Sequence, residues 1–183
     1  LEQSEFMEGN FGFTSVLLDT LKKYKNKCPI MISSSIQADL DNPYGLSKKA
    51  GEDLILAYGK ETGTRTLVYR FPNVFGKWSQ PNYNSAIATF CHNIARDIPI
   101  TVNDPNVEMN VVYIDDVVEE LINALNGNEN RIGNYCSVEK KYYIKLGKIV
   151  ELIYSFKNSR NDLTVPNLKD ELTKKLYSTY LSF

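Results

Sequence analysis

The chain has 183 residues, about one domain's worth, with 43% hydrophobic and 23% charged, the balance of a globular protein. Lysine and arginine total 21 against 22 acids, a formal charge of −1, which argues against a nucleic-acid clamp built on a basic face. No apolar run approaches the roughly 20 residues that a bilayer span needs, and the opening LEQSEFMEGN is too acidic and polar for a signal peptide, so no membrane contact and a cytoplasmic location are expected.

Three cysteines, Cys28, Cys91 and Cys136, lie far apart with no C-x-x-C spacing, which reads as plain core thiols in a reducing compartment. His92 is the single histidine. A His-based zinc site and a Ser-His-Asp triad are both disfavoured, and no metal site is expected.

In chain order, Phe13, Val16, Leu17, Leu21 and Tyr24 recur at helical spacing, with Lys22, Lys23, Lys25 and Lys27 near the end that favours cations. Ile30-Met31-Ile32, closed by three serines, reads as a buried strand. Asn42-Pro43 opens a second helix with Leu46, Ala50, Leu54 and Ala57 inward, ended by Gly59 or Gly63. Residues 66–70 form a strand and 76–83 a loop, followed by a helix over about 85–95. Residues 111–114 form another strand, running into Asp115-Asp116 at the start of a helix that Gly127 stops. Leu146, Ile149, Val150 and Ile153 mark one more helix, and Leu168, Leu172 and Leu176 a short last one. Strands alternating with helices predict an α/β fold with a mostly parallel sheet.

The chemistry is concentrated in Ser33-Ser34-Ser35 and in Asn42-Pro43-Tyr44-Gly45-Leu46-Ser47-Lys48. Tyr44 and Lys48 are four apart and share one helix face. A free phenol is a poor acid at neutral pH, but an ammonium group beside it stabilises the phenolate. A serine hydroxyl at the end of the preceding strand can hydrogen-bond a carbonyl. Together the three groups could protonate an alkoxide formed by hydride transfer. Standing alone, Y-x-x-x-K reads far more readily as a surface pair on an amphipathic helix.

The surroundings carry the functional reading. Ile32-Ser33-Ser34-Ser35, Pro43 through Lys48, Arg70-Phe71-Pro72-Asn73-Val74-Phe75-Gly76 and Val112-Tyr113-Ile114-Asp115-Asp116-Val117 occur in one order. In that order they resemble the extended short-chain dehydrogenase/reductase family, the nucleotide-sugar epimerase/dehydratase branch. Ser33 through Ala38, Phe75-Gly76-Lys77-Trp78, Pro81 through Ser85 and Leu176 through Ser182 point further, to capsule-precursor reductases of that family.

The resemblance implies the C-terminal half of a Rossmann-type parallel sheet with helices, plus a small substrate-binding lobe. Residues 1–76 and 111–127 would belong to the Rossmann core, and 77–110 and 128–183 to the lobe. The glycine-rich N-terminal half and a following metal-binding cupin domain are expected to lie outside the chain. The implied activity is reduction of a UDP-4-keto-6-deoxy-N-acetylamino sugar with NADP or NAD. The alternatives are a nucleotide-sugar 4-epimerase, or an incompetent fragment acting as a binding module. The resemblance also implies a homodimer for the complete enzyme.

By the same resemblance, Tyr44 is the general acid, Lys48 bonds the nicotinamide ribose, and Ser35 takes the serine/threonine position. Phe71 and Pro72 pack beside the nicotinamide. Asn73 turns toward the sugar nucleotide, and Asn84 and Ser85 face its diphosphate or sugar. A helix N-terminus there is a reasonable anion site on physical grounds alone. Arg160 reads as a diphosphate partner or as a solvated arginine.

Two departures from the family pattern stand out. Only eight residues separate Ser35 from Tyr44, leaving open which serine reaches the substrate. No glycine-rich phosphate turn follows a strand, so weak or no cofactor binding by this chain alone is expected. Ile36-Gln37 stand where sugar dehydratases carry an acidic pair, which disfavours dehydration. Asp115-Asp116 read as helix caps rather than a metal pair, His92 as a helix packing residue, and Lys140 through Tyr143 as a solvated turn. Trp78 reads as a packing anchor or as a contact for the base or cofactor.

Overall fold

The computed structural model describes residues 3–183, with side chains from Glu5 onward. It is an α/β protein whose contacts divide it into two compact units, 1–72 with 126–137 and 73–125 with 138–183. The division falls at different residues from those expected above, since the strand and helix over 108–125 group with the second unit.

The first unit opens with α1 (Gln3–Met7), a π-helical turn (Glu8–Gly12) and α2 (Phe13–Lys23). Next come β1 (Ile30–Ser35), a 3-10 turn (Ile36–Asp39), α3 (Pro43–Thr62) and β2 (Thr66–Phe71). The short strands β5 (Arg131–Ile132) and β6 (Tyr135–Cys136) complete a sheet of order β1-β2-β6-β5. β1, β2 and β6 run parallel, and β5 returns antiparallel. Leu18, Ile30, Ile55, Tyr58 and Val68 form the core between sheet and helices.

In the second unit, β3 (Asn73–Phe75) pairs parallel with β4 (Glu108–Tyr113), which pairs antiparallel with β7 (Tyr142–Lys145). Helices α4 (Ala86–Ala95), α5 (Ile114–Leu125), α6 (Leu146–Asp162) and α7 (Glu171–Tyr180) accompany this sheet. Phe75, Phe90, Ile94, Val111, Ile149 and Phe156 are among its core residues. Among the described residues, no helix is long and apolar enough to cross a membrane.

Most expected elements are present, and the differences have physical causes. Tyr142–Lys145 is a strand, not a solvated turn, because its backbone completes the ladder beside β4. Helix α2 buries Thr14 and Leu18, leaving Phe13, Val16 and Tyr24 well exposed. The inward stripe of α3 is Gly51, Glu52, Ile55 and Tyr58, with Leu46 and Ala57 outside. Cys91 and Cys136 are core thiols, but Cys28 is exposed.

The start of α3 is set by two local devices. The Asn42 side chain accepts from the amide of Gly45 at 2.8 Å, and Pro43 occupies the first turn. Gly45 then lets the 3-10 turn press against the helix, since a Cβ there would collide with the carbonyl oxygens of Gln37 and Leu40. This close approach sets the turn after Ser35 beside the helix that carries Tyr44. Gly45→Ala gains up to ~1 kcal/mol of helix propensity, but forcing a methyl into that backbone contact costs about 1–3 kcal/mol. The expected result is a lower urea midpoint, and a midpoint at or above the parent's would show that the turn has room to move.

Candidate active site

The parallel register of β1 and β2 sets Ser34 opposite Arg70 and Ser35 opposite Phe71. Side chains alternate along a strand, so Ser34 faces one way and Ser33 and Ser35 the other. Ser34 is buried, and its hydroxyl donates to Oε1 of Glu52 at 2.6 Å. It is thereby withdrawn from any substrate. The Ser35 Oγ accepts from the amide of Gln37 at 3.2 Å, a bond that leaves its own proton unused. Ser33 is exposed, and its carbonyl receives the Lys48 ammonium at 3.4 Å.

Tyr44 and Lys48 lie on one face of α3, as their spacing requires. The Lys48 Nζ sits 5.7 Å from the centroid of the Tyr44 ring. Phe6 meets that ring edge-on at 5.6 Å, and the phenol stays partly accessible. Burial pushes the Lys48 ammonium below the ordinary lysine range, and the negative charge of Glu52 partly offsets this. Lys48 and Ser33 line a cavity of about 200 Å³ walled also by Asn10, Phe13, Leu17 and Met31. Asn10 sits in the π-helical turn and donates to the Ser47 hydroxyl at 3.0 Å. The absence of a Cβ at Gly51 admits its carbonyl close to α3.

Phe71 and Pro72 are buried at the end of β2, with the Phe71 ring stacked on Tyr69 at 5.5 Å. In the second unit, Asn73, Asn84 and Ser85 come together with Ile87 and Met109 around a recess of about 170 Å³. The Asn73 amide donates to the carbonyl of Asn110 at 3.1 Å. Ser85 caps α4 by accepting from Ala88 at 3.2 Å, so the positive end of the helix dipole opens on this recess.

Other candidates resolve differently. Trp78 is 81% exposed at φ 63°, which removes its reading as a packing anchor. Asp115 pairs with Lys77 at 3.1 Å and Asp116 with Lys175 at 2.7 Å, so they are ion-paired acids in the first turn of α5. His92 meets Phe183 edge-on at 6.2 Å, and Arg160 is exposed. Ile36 and Gln37 are exposed. Sequence reasoning missed Asn10, Glu52 and Arg70. Arg70 carried a signal, because a lone arginine at the end of a buried apolar strand needs an acid partner. Glu52, one turn beyond Lys48, is that partner.

Residues 2–135 match the NAD dependent epimerase/dehydratase family. The chain belongs to that family. It is 47% identical over 98% of its length to the UDP-2-acetamido-2,6-beta-L-arabino-hexul-4-ose reductase of Pseudomonas aeruginosa, covering 48% of that protein. It also resembles the capsular polysaccharide assembling protein CapF of Staphylococcus aureus, at 48% identity and a TM-score of 0.88, over 93% of this chain and 46% of that one. A Bacillus cereus UDP-glucuronic acid 4-epimerase shares the fold at 20% identity, with a TM-score of 0.76, over 94% of this chain and 66% of that one. The chain thus spans about half the length of the first two of these relatives.

The donor set suits the nicotinamide-ribose end of a family cofactor. The Lys48 ammonium could donate to a diol and the Tyr44 phenol could bond beside it, whereas Phe71 and Pro72 are buried.

The lowered Lys48 pKa has a consequence for stability. Both folded and unfolded chains carry the charge at neutral pH, and folding then pays for its burial. That cost fades as pH rises from the folded value toward the ordinary 10.5. Lys48→Met should therefore raise the thermal midpoint relative to the parent at pH 7, with the advantage shrinking as pH approaches 10.5. A variant less stable than the parent at pH 7 would contradict this.

Proposed function

We propose that this chain carries the proton-delivering residues of an NAD(P)H-dependent reductase. Its substrate is a UDP-4-keto-6-deoxy-N-acetylamino sugar used to make a surface polysaccharide precursor. The observation that carries the reading is that Lys48 lies beside the Tyr44 ring and reaches the Ser33 carbonyl at the serine-bearing strand end. The similarity over nearly the whole chain to a UDP-sugar 4-ketose reductase supports it. In this reading the first unit is the cofactor-facing part of the Rossmann core. The second unit, with Asn73, Asn84 and Ser85, is the substrate-binding part.

The cofactor, when bound, supplies a hydride to the ketone carbon. Ser35 donates a hydrogen bond to the ketone oxygen, polarising the carbonyl and fixing its orientation. As charge develops on that oxygen, Tyr44 transfers its phenolic proton to it, giving the alcohol. Lys48 bonds the ribose hydroxyls, and its ammonium stabilises the phenolate left on Tyr44. Asn84 and the α4 N-terminus hold the diphosphate. A 4-epimerase would use the same tyrosine and lysine but consume no reduced cofactor overall.

The assay therefore follows NAD(P)H absorbance with a UDP-4-keto sugar in the intact protein. Stoichiometric oxidation is expected. Interconversion of 4-epimers without net oxidation would replace reduction with epimerisation. Tyr44→Phe should lower kcat by about 10²–10⁴-fold, the usual worth of a positioned acid, and leave sugar-nucleotide affinity within about twofold. Near-parental turnover would remove Tyr44 from the mechanism.

For the 183-residue chain alone, calorimetry should show NAD(P)H binding much weaker than the micromolar range, because its pyrophosphate lacks a glycine-turn anchor. Low-micromolar binding, about −8 kcal/mol, would reveal a phosphate site within these residues.

A further inference from the structure

Glu52 is fully enclosed, and both of its oxygens are engaged. Oε1 accepts from the Ser34 hydroxyl at 2.6 Å and from Nε of Arg70 at 2.8 Å, and Oε2 accepts from Nη2 of Arg70 at 2.6 Å. The other arm of Arg70 forks onto both oxygens of Asp39 at 2.8 Å, and its guanidinium lies 3.8 Å over the Tyr135 ring. The network thus links α3, β1, β2, the 3-10 turn and β6. These include every element of the first unit that bears Ser33, Ser35, Tyr44, Lys48 or Phe71.

Stability is a poor explanation for such a pair. Desolvating two charges costs several kcal/mol, roughly what their attraction returns, and apolar replacements of similar volume are often neutral or stabilising. Geometric definition is a better one. A bidentate guanidinium–carboxylate fork admits one relative orientation. Ser34 is the strand residue that meets this fork, so its two neighbours are turned to the opposite face. A slip of one residue would invert that assignment.

We propose that Glu52 and Arg70 are positioning residues: their buried fork, read by Ser34, locks the strand end bearing Ser33 and Ser35 in register against the helix bearing Tyr44 and Lys48. The proposal rests on the reductase reading above. It adds that the proton-delivering geometry depends on a charge pair that touches neither substrate nor cofactor. It also decides among the three serines, because Ser34 serves the fork and leaves Ser33 and Ser35 to face the reaction.

The test uses the intact protein with two variants, Glu52→Leu/Arg70→Met, which replaces the fork by apolar groups, and Glu52→Gln. The glutamine keeps the shape and one acceptor but presents an NH₂ to the guanidinium. Amide hydrogen exchange on the unliganded protein should be at least tenfold faster over residues 33–37 in both variants, with Val68 and Tyr69 unchanged. Turnover should fall at least tenfold with the KM for the sugar nucleotide within about threefold. Unchanged exchange at 33–37 in a folded variant overturns the locking role. Faster exchange with parental turnover overturns its link to chemistry. If the double variant does not fold, Glu52→Gln decides alone by the same two readings. Two controls separate the cases: no net NAD(P)H oxidation by the parent refutes the reductase reading, and full activity of Tyr44→Phe removes Tyr44 from proton delivery, while the exchange result still judges the fork.

Discussion

Two parallel strands that end together are the constraint on which the first unit is built. The β1–β2 ladder puts Ser34 against Arg70 and Ser35 against Phe71, so polar and apolar site residues arrive at one edge without further adjustment. The capped start of α3 then sets the height of Tyr44 and Lys48 relative to that edge. Gly45 keeps the intervening turn tight, which is why eight residues suffice to connect Ser35 to Tyr44. The short connection that looked anomalous in the sequence is thus a compact 3-10 turn, closed by the Ser35 hydroxyl accepting from Gln37.

The electrostatics of the site work against its stability. Lys48 is held where burial disfavours its charge, with its ammonium directed at the Ser33 carbonyl and the Tyr44 ring. In the proposed reading, an ammonium that gives up water in the unliganded protein would have less solvent to shed when a ribose diol arrives. The folding cost at Lys48 would then accompany a group ready to bind.

Much of this was legible from residue patterns, and the failures are instructive. Asn42-Pro43 and Gly63 bound α3 as their backbone preferences dictate, and Ser85 caps α4 where expected. The inward face of α3 was misread because its buried stripe contains Gly51 and Glu52, neither of which registers as hydrophobic. Glycine is there for close approach, and glutamate is there because Arg70 and Ser34 satisfy it. Lys140 through Tyr143 reads as a turn because the strand over Tyr142–Lys145 depends on β4, which is distant in sequence. Of the two readings open for Trp78, its exposure at a left-handed backbone removes the packing anchor. Family resemblance supplied the proposed roles of Phe71, Pro72, Asn73, Asn84 and Ser85, which composition and periodicity could not have suggested.

The central claim is that one phenol, one ammonium and one strand-end hydroxyl converge on a single ketone oxygen. The most direct measurement is a crystal structure of the intact protein with a non-reactive UDP-4-keto-sugar analogue and NAD(P)⁺. The account predicts the Tyr44 and Ser35 hydroxyls within roughly 2.6–3.2 Å of the C4 oxygen, the reach needed for proton transfer, and Lys48 bonded to the ribose hydroxyls. A complex in which the C4 oxygen faces neither hydroxyl, or in which Lys48 stays on the Ser33 carbonyl and touches no ribose, would contradict it.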